Sequence, residues 1–94
     1  MVLKSLTAGT VSGTGFVKVP SQLFGGALIS ADSTNAATIV IKKSNDAQIT
    51  TGDIIFNVVT KIPLAPFAPF HCGDWIYYSI SGTSATAQLY EWVP

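Results

Sequence analysis

The chain has 94 residues, of which 48% are hydrophobic and 11% are charged, and five lysines balance five acidic residues to a formal net charge of zero. A chain of this length builds one modest core, and its charged fraction is less than half of the roughly 25% in typical soluble domains. Arginine is absent and only Lys42 and Lys43 are adjacent, so the sequence lacks the basic patch that nucleic-acid binders need. We therefore expect no nucleic-acid partner, and we expect other molecules to cover part of the apolar surface.

Apolar runs in the sequence are short, well below the roughly 20 residues of a membrane-spanning helix. The first ten residues lack the apolar stretch of a secretory signal. The single cysteine, Cys72, cannot form an internal disulfide, which is typical of a reducing compartment. These features predict a protein without a membrane partner that is made in a cytoplasm and stays there or leaves inside a particle.

Residues 1–15 are rich in Ser, Thr and Gly and predict a flexible N-terminal arm or an irregular edge strand, followed by a single domain over residues 16–94. Alternating apolar and polar residues between turn-forming clusters predict strands at 16–19, 27–31, 37–43, 54–62, 75–81 and 85–93. The intervening turns predict two hairpins, one between the second and third of these strands and one between the last two.

Three prolines, Pro63, Pro66 and Pro69, separate the fourth predicted strand from the fifth. Proline cannot donate to a strand ladder, so these residues exclude a helix and a central strand and predict an extended connection between two sheets. With no helix in the pattern, we predict an all-β fold, an antiparallel β-sandwich or jelly roll of six to eight strands.

Catalytic chemistry has few candidates in this sequence. His71 and Cys72 are neighbours, and in an extended chain they point to opposite faces, so they do not form a nucleophile with its base. A zinc site would need about two more Cys or His ligands. Asp53 and Asp74 each follow a glycine and read as turn residues. We therefore predict no enzymatic activity, no cofactor and no bound metal.

Aromatic residues are concentrated in the last third of the chain, where Asp74 and Glu91 are the only fully charged residues. Aromatic side chains are favoured anchors of protein interfaces. Six of them are the predicted interface residues: Phe67, Phe70, Trp75, Tyr77, Tyr90 and Trp92. Two alternatives remain open, a core that uses both faces of these strands and a surface that stacks on sugar rings.

Three stretches of the sequence, GGALISAD at 25–32, ATIVIKKSND at 37–46 followed by GDII at 52–55, and WIYYSISGTSATAQLY at 75–90, carry a family resemblance. Their order of strands and turns resembles the small β-sandwich virion proteins of tailed bacteriophages, such as capsid decoration or cement proteins and head or tail accessory proteins. The proline-rich segment 63–69 and the aromatic ending depart from that pattern.

The resemblance implies a non-enzymatic virion protein, made in the host cytoplasm, that stabilises the shell through apolar subunit contacts. Its implied partners are further copies of itself, as a trimer for example, and the major capsid protein or another virion protein. The alternative is a tail-associated or lectin-like module that binds carbohydrate through Trp75, Tyr77 or Trp92.

Overall fold

A computed structural model of the chain describes residues 2–48 and 50–94, and these form eight β-strands. In chain order the strands are β1 (Val2–Ser5), β2 (Gly13–Lys18), β3 (Leu23–Ser30), β4 (Ala37–Ser44), β5 (Ile54–Thr60), β6 (Phe67–His71), β7 (Trp75–Ser81) and β8 (Thr86–Val93). They form two four-stranded antiparallel sheets packed face to face. The prediction of an all-β antiparallel sandwich is confirmed.

Sheet I has the strand order β1-β8-β3-β6, and sheet II has the order β2-β7-β4-β5. The first strand therefore pairs with the last, the second with the seventh, the third with the sixth and the fourth with the fifth. This is the pairing of one long hairpin rolled up on itself, which is the arrangement of a jelly roll. Further ladders, β3 with β8 and β4 with β7, close each sheet.

Both hairpins predicted from the sequence are wrong. β3 lies in sheet I and β4 in sheet II, and β7 and β8 are divided in the same way. The turn residues between them carry the chain from one layer of the sandwich to the other, about 10 Å away. Local turn chemistry marks where a chain bends, but it does not determine which strand becomes the hydrogen-bonded neighbour.

The core lies between the sheets and is built from alternate residues of the central strands, as the two-residue period of a strand requires. Ile39 and Ile41 of β4 and Ile76 and Ile80 of β7 point inward from sheet II. Sheet I contributes its own row of buried hydrophobic side chains: Phe24, Ala27, Ile29, Ala87 and Leu89. Because the alternation continues along β8, the acidic side chain of Glu91 is also buried.

Residues 2–18 hold two edge strands. β1 pairs with β8 in sheet I, and β2 pairs with β7 in sheet II. Between them, Val11 forms an isolated bridge with Ala87, and its backbone N–H donates to the Ala87 carbonyl at 2.8 Å. Met1 lies outside the described residues.

The proline-rich segment leads from β5 in sheet II to β6 in sheet I. Leu64 bridges to Ile29 through backbone hydrogen bonds of 2.8 and 3.2 Å. β6 then runs along the outer edge of sheet I and contains Pro69. A proline is tolerated there because an edge strand needs only one side of its backbone for the ladder.

Two register shifts alter which side chains face outward. In β3 the shift lies between Phe24 and Gly26. In the β4 and β5 ladder, Ile41 pairs with Phe56 while Lys42 pairs with Ile54, so Ile55 is an extra residue. Ile54 and Phe56 are two residues apart and would share a face in a regular strand, but the bulge leaves Phe56 buried and turns Ile54 to the surface.

Candidate interaction surfaces

Phe67 and Tyr90 form an aromatic pair on the outer face of sheet I. Gly26 of β3 lies between them in the sheet and is the register partner of both residues. Because Gly26 has no side chain, the two rings meet above it, edge to face, with centroids 5.5 Å apart and planes at 89°. This geometry is the favourable one for the ring quadrupoles.

Trp92 lies on the same outer face as Tyr90, because Glu91 between them points inward. Its register partner is Leu3 of the edge strand β1. We call Phe67, Tyr90 and Trp92 the aromatic strip. Phe67 is exposed, while Tyr90 and Trp92 are half-buried, so the strip is partly open to solvent.

Phe70 lies three residues after Phe67 and therefore occupies the opposite face of β6. Its ring centroid lies 6.1 Å from that of Phe24 and 5.6 Å from that of Phe56, the latter with planes at 89°. Phe24 and Phe56 themselves meet at 5.6 Å. Phe70 therefore joins the two sheets at one end of the core.

Trp75 and Tyr77 lie on the outer face of sheet II, since Ile76 between them is fully buried. The Tyr77 ring packs against Phe16 of β2 with centroids 5.1 Å apart, and Lys42 lies beside Tyr77 on β4. The six predicted interface residues are thus distributed over the aromatic strip, the core and the outer face of sheet II.

A further apolar surface, absent from the sequence-based set, lies along β5 at the edge of sheet II. Ile54 is 56% exposed and Val59 is 64% exposed, and Ile62 just beyond the strand is also exposed. The sequence indicates this surface. Residues 54–60 contain no charge, glycine or proline, and the charged residues Asp53 and Lys61 flank them. We call Ile54–Thr60 the β5 edge.

An open depression of about 460 Å³ lies where the ends of β4 and β6 approach the start of β5. It is lined by Lys43, Ser44, Asn45, Gly52, Asp53, His71, Cys72 and Gly73. The Lys43 ammonium lies 3.8 Å from the Asp53 carboxylate. The fold therefore brings together Asp53, His71 and Cys72, three of the residues that the sequence singled out, while Asp74 accepts a hydrogen bond of 2.6 Å from the Gln22 amide outside the depression.

Cys72 is half-buried where it lines this depression. Burial raises the pKa of the Cys72 thiol above its ordinary value, and the nearby Glu91 and Asp74 carboxylates act in the same direction. Its backbone N–H donates to the Gln22 carbonyl at 3.1 Å. Across residues 2–48 and 50–94, no three His, Cys, Asp or Glu side chains converge in a metal-binding arrangement.

The molecule is thus an eight-stranded β-sandwich whose outer faces and β5 edge carry apolar and aromatic side chains. Comparison of the chain with protein-family models, with curated proteins and with solved structures finds no match. Within the described residues, no helix has the length and apolar character needed to cross a membrane.

Proposed function

We propose that this chain is a non-enzymatic structural subunit that works by apolar contact with copies of itself and with a larger protein scaffold. One observation carries the proposal: large hydrophobic side chains stay 39 to 64% exposed on a chain with few charges to offset them. They are Val2, Leu28, Ile54, Val59, Ile62, Leu64 and Phe67.

The physical basis is the burial of these side chains. Apolar area removed from water contributes about 25 cal/mol per Å², and much of that gain is offset by the entropy lost when two bodies become one. A small subunit therefore binds weakly alone and tightly when many copies act on one surface. Such a subunit needs a repetitive scaffold.

We infer that the scaffold is the shell of a tailed-bacteriophage particle and that the chain is a capsid decoration or cement subunit. The resemblance of residues 15–93 to small virion proteins supports this, and jelly rolls recur in viral capsid proteins, which is an analogy of fold. In this assignment the aromatic strip binds the major capsid protein or another virion protein. The contacts between copies of the chain, in a trimer or another oligomer, lie elsewhere on the subunit.

The assembly role is tested by size-exclusion chromatography with light scattering over a range of protein concentrations, at low salt and at 1 M NaCl. We expect masses above the 9.9 kDa of one chain, and we expect them to persist at high salt because apolar burial is not screened. A chain that is monomeric at every concentration would contradict the self-association.

The virion assignment is tested with purified particles from the source of the sequence. We expect the chain in the particles by mass spectrometry, and we expect particles depleted of it to release DNA at a lower temperature. Phe67→Lys should prevent rebinding to depleted particles, whereas Lys61→Arg, which keeps the charge on another part of the surface, should not. Rebinding of both variants to the same extent would exclude the aromatic strip as the docking surface.

A second candidate, carbohydrate binding, is favoured by Trp75 and Tyr77, which share one outer face of β7 with half-exposed rings. Sugar rings stack on such side chains. A glycan array compares the natural chain with Trp75→Ala and with Trp92→Ala, which removes a ring from the other sheet. Sugar binding lost only in Trp75→Ala would support this candidate, and an array without binding would remove it.

A further inference from the structure

The four strand edges of the sandwich differ in how they are protected. An exposed edge has free N–H and C=O groups that can pair with another strand, and proteins guard such edges with charges, prolines, bulges or short length. β1 has four residues and contains Lys4, and β6 contains Pro69. β2 ends at Lys18 and begins with Gly13 at a φ of +72°.

The β5 edge has no charge, proline or glycine, and its one guard is the bulge at Ile55 near its start. Its seven residues are uncharged, and four of them are β-branched aliphatic residues. It hydrogen-bonds to β4 on one side, and sheet II ends at its other side. The exposed side chains of Ile54 and Val59 extend the apolar character to the outer face. This edge can therefore accept one more strand.

The charges that flank the edge identify the strand that fits. Asp53, whose exposed carboxylate also lies 3.8 Å from the Lys43 ammonium of its own chain, precedes β5, and Lys61 follows it, with Asn57 midway between them. Two copies of β5 placed antiparallel about Asn57 bring each Asp53 next to the Lys61 of the other copy, so both ends of the pairing join opposite charges. The two Asn57 side chains, exposed in the single chain, meet at the symmetry axis, where each amide can donate and accept a hydrogen bond.

The bulge in β5 is compatible with this pairing. It displaces only the start of the strand, and the ladder from Phe56 to Thr60 is regular. The axis at Asn57 lies in that regular part. At the ends, the long flexible side chain of Lys61 spans the offset of one residue that the extra Ile55 introduces.

We propose that two copies of this chain associate through β5, antiparallel and centred on Asn57, to form one continuous eight-stranded sheet across the dimer. The pairing is isologous, so it closes after two copies. This inference rests on the proposed assembly role, because it assigns the self-association to the β5 edge. It leaves the aromatic strip free to bind the scaffold.

Charge reversal tests the register. Lys61→Glu places two acidic residues together at each end of the pairing, and we expect dimer dissociation constants about tenfold higher in sedimentation equilibrium. Adding Asp53→Lys to the same chain reverses both charges and should restore the dimer. Lys18→Glu makes the same charge change on the opposite edge of sheet II, and it should leave the dimer unchanged.

Disulfide trapping tests the axis in a Cys72→Ser background. Asn57→Cys puts two thiols opposite each other at the distance of paired strand residues, which a disulfide can span. Val59→Cys is the matched control, because its two thiols lie about 13 Å apart along the strands. We expect rapid covalent dimerisation of the first variant and little of the second.

The outcomes separate this inference from the proposed function. Rescue by the double charge reversal together with selective trapping at position 57 supports the β5 dimer. A chain that associates but shows neither effect overturns the β5 pairing and leaves the assembly role intact. A chain that stays monomeric overturns both.

Discussion

The side chain of Glu91, buried at the end of β8, accepts a hydrogen bond of 3.0 Å from the backbone N–H of Ser21, which lies 70 residues earlier in the turn between β2 and β3. Burial of a carboxylate is tolerated only when polar partners replace the hydrogen bonds to water that it has lost. This bond ties the turn that links the two sheets to the last strand of the chain.

Replacement of Glu91 should therefore reduce the free energy of unfolding. The loss should depend on whether the new side chain can still accept the hydrogen bond from the Ser21 N–H. Glu91→Ala leaves the Ser21 N–H without its acceptor, and we expect the free energy of unfolding to fall by about 1 to 3 kcal/mol in urea denaturation. Glu91→Gln keeps an oxygen in the same position and should lose less. Equal losses in both variants would show that the hydrogen bond contributes little.

Substitution of Gly26 tests the aromatic pair and the backbone beneath it. Gly26 has a φ of +116°, and an added Cβ would collide with the Pro66 carbonyl oxygen and lie 2.9 Å from the Phe67 Cα. We expect Gly26→Ala to lower the free energy of unfolding by about 1 to 3 kcal/mol. Gly9→Ala is the matched control, since a Cβ there meets nothing within 4 Å, and a control as unstable as Gly26→Ala would contradict this explanation.

Acid should weaken the turn after β3 through Asp32. Hydrogen bonds from the Asn35 backbone N–H and side-chain amide, and then from the Thr34 N–H, lower the pKa of the Asp32 carboxyl. Because the folded pKa lies below the unfolded one, the resulting stability is present above the unfolded pKa of about 3.9 and is lost as the pH falls through the folded pKa.

The measurement is an NMR titration of Asp32 together with urea denaturation of Asp32→Asn across the acidic range. We expect the natural chain to lose its advantage over Asp32→Asn as the pH falls, because the asparagine does not titrate. A carboxyl that titrates at its ordinary pKa would contradict the effect of the three hydrogen bonds.

Cys72 should react slowly with alkylating reagents at pH 8. Burial raises its pKa, so the reactive thiolate is scarcer in the folded chain than in the unfolded one. Because the folded pKa lies above the unfolded one, the protonated thiol adds to the free energy of unfolding. This addition is present below the unfolded pKa and is lost as the pH rises through the folded pKa. We expect slower iodoacetamide labelling at pH 8 in buffer than in urea, with Cys72→Ser as the unreactive control, and equal rates would refute a shifted pKa.

The sequence predicted the strands well and their partners poorly. The two-residue alternation at Ile39 and Ile41, or at Ile76 and Ile80, depends only on which face of a strand is buried, so it can be read locally. Whether β3 pairs with β4 or with β8 depends on residues some 60 positions away. In a jelly roll most pairings are of this distant kind, and turn residues do not encode them.

For the candidate interaction surfaces too, the sequence indicates the residue types, but the fold determines where they lie. Aromatic content drew attention to Phe67, Tyr90 and Trp92 along with Phe70 and Trp75, but only the fold reveals that Phe70 packs between the sheets and that Trp75 belongs to the opposite layer. The exposure of Ile54 follows from a bulge, an insertion that no periodic pattern marks. The convergence of Asp53 with Cys72 at one depression likewise follows from the packing of distant strand ends.

The central position of β8 in sheet I has a consequence for synthesis of the chain. β8, residues 86–93, lies between β1 and β3 in sheet I. Until these residues leave the ribosome, β1 and β3 have no strand to pair with between them. Sheet I can close only after residues 86–93 have emerged. Folding is then expected to take milliseconds to seconds, the range of folds dominated by distant pairings, and the bare edges of β1 and β3 must be kept from other nascent chains until β8 arrives between them.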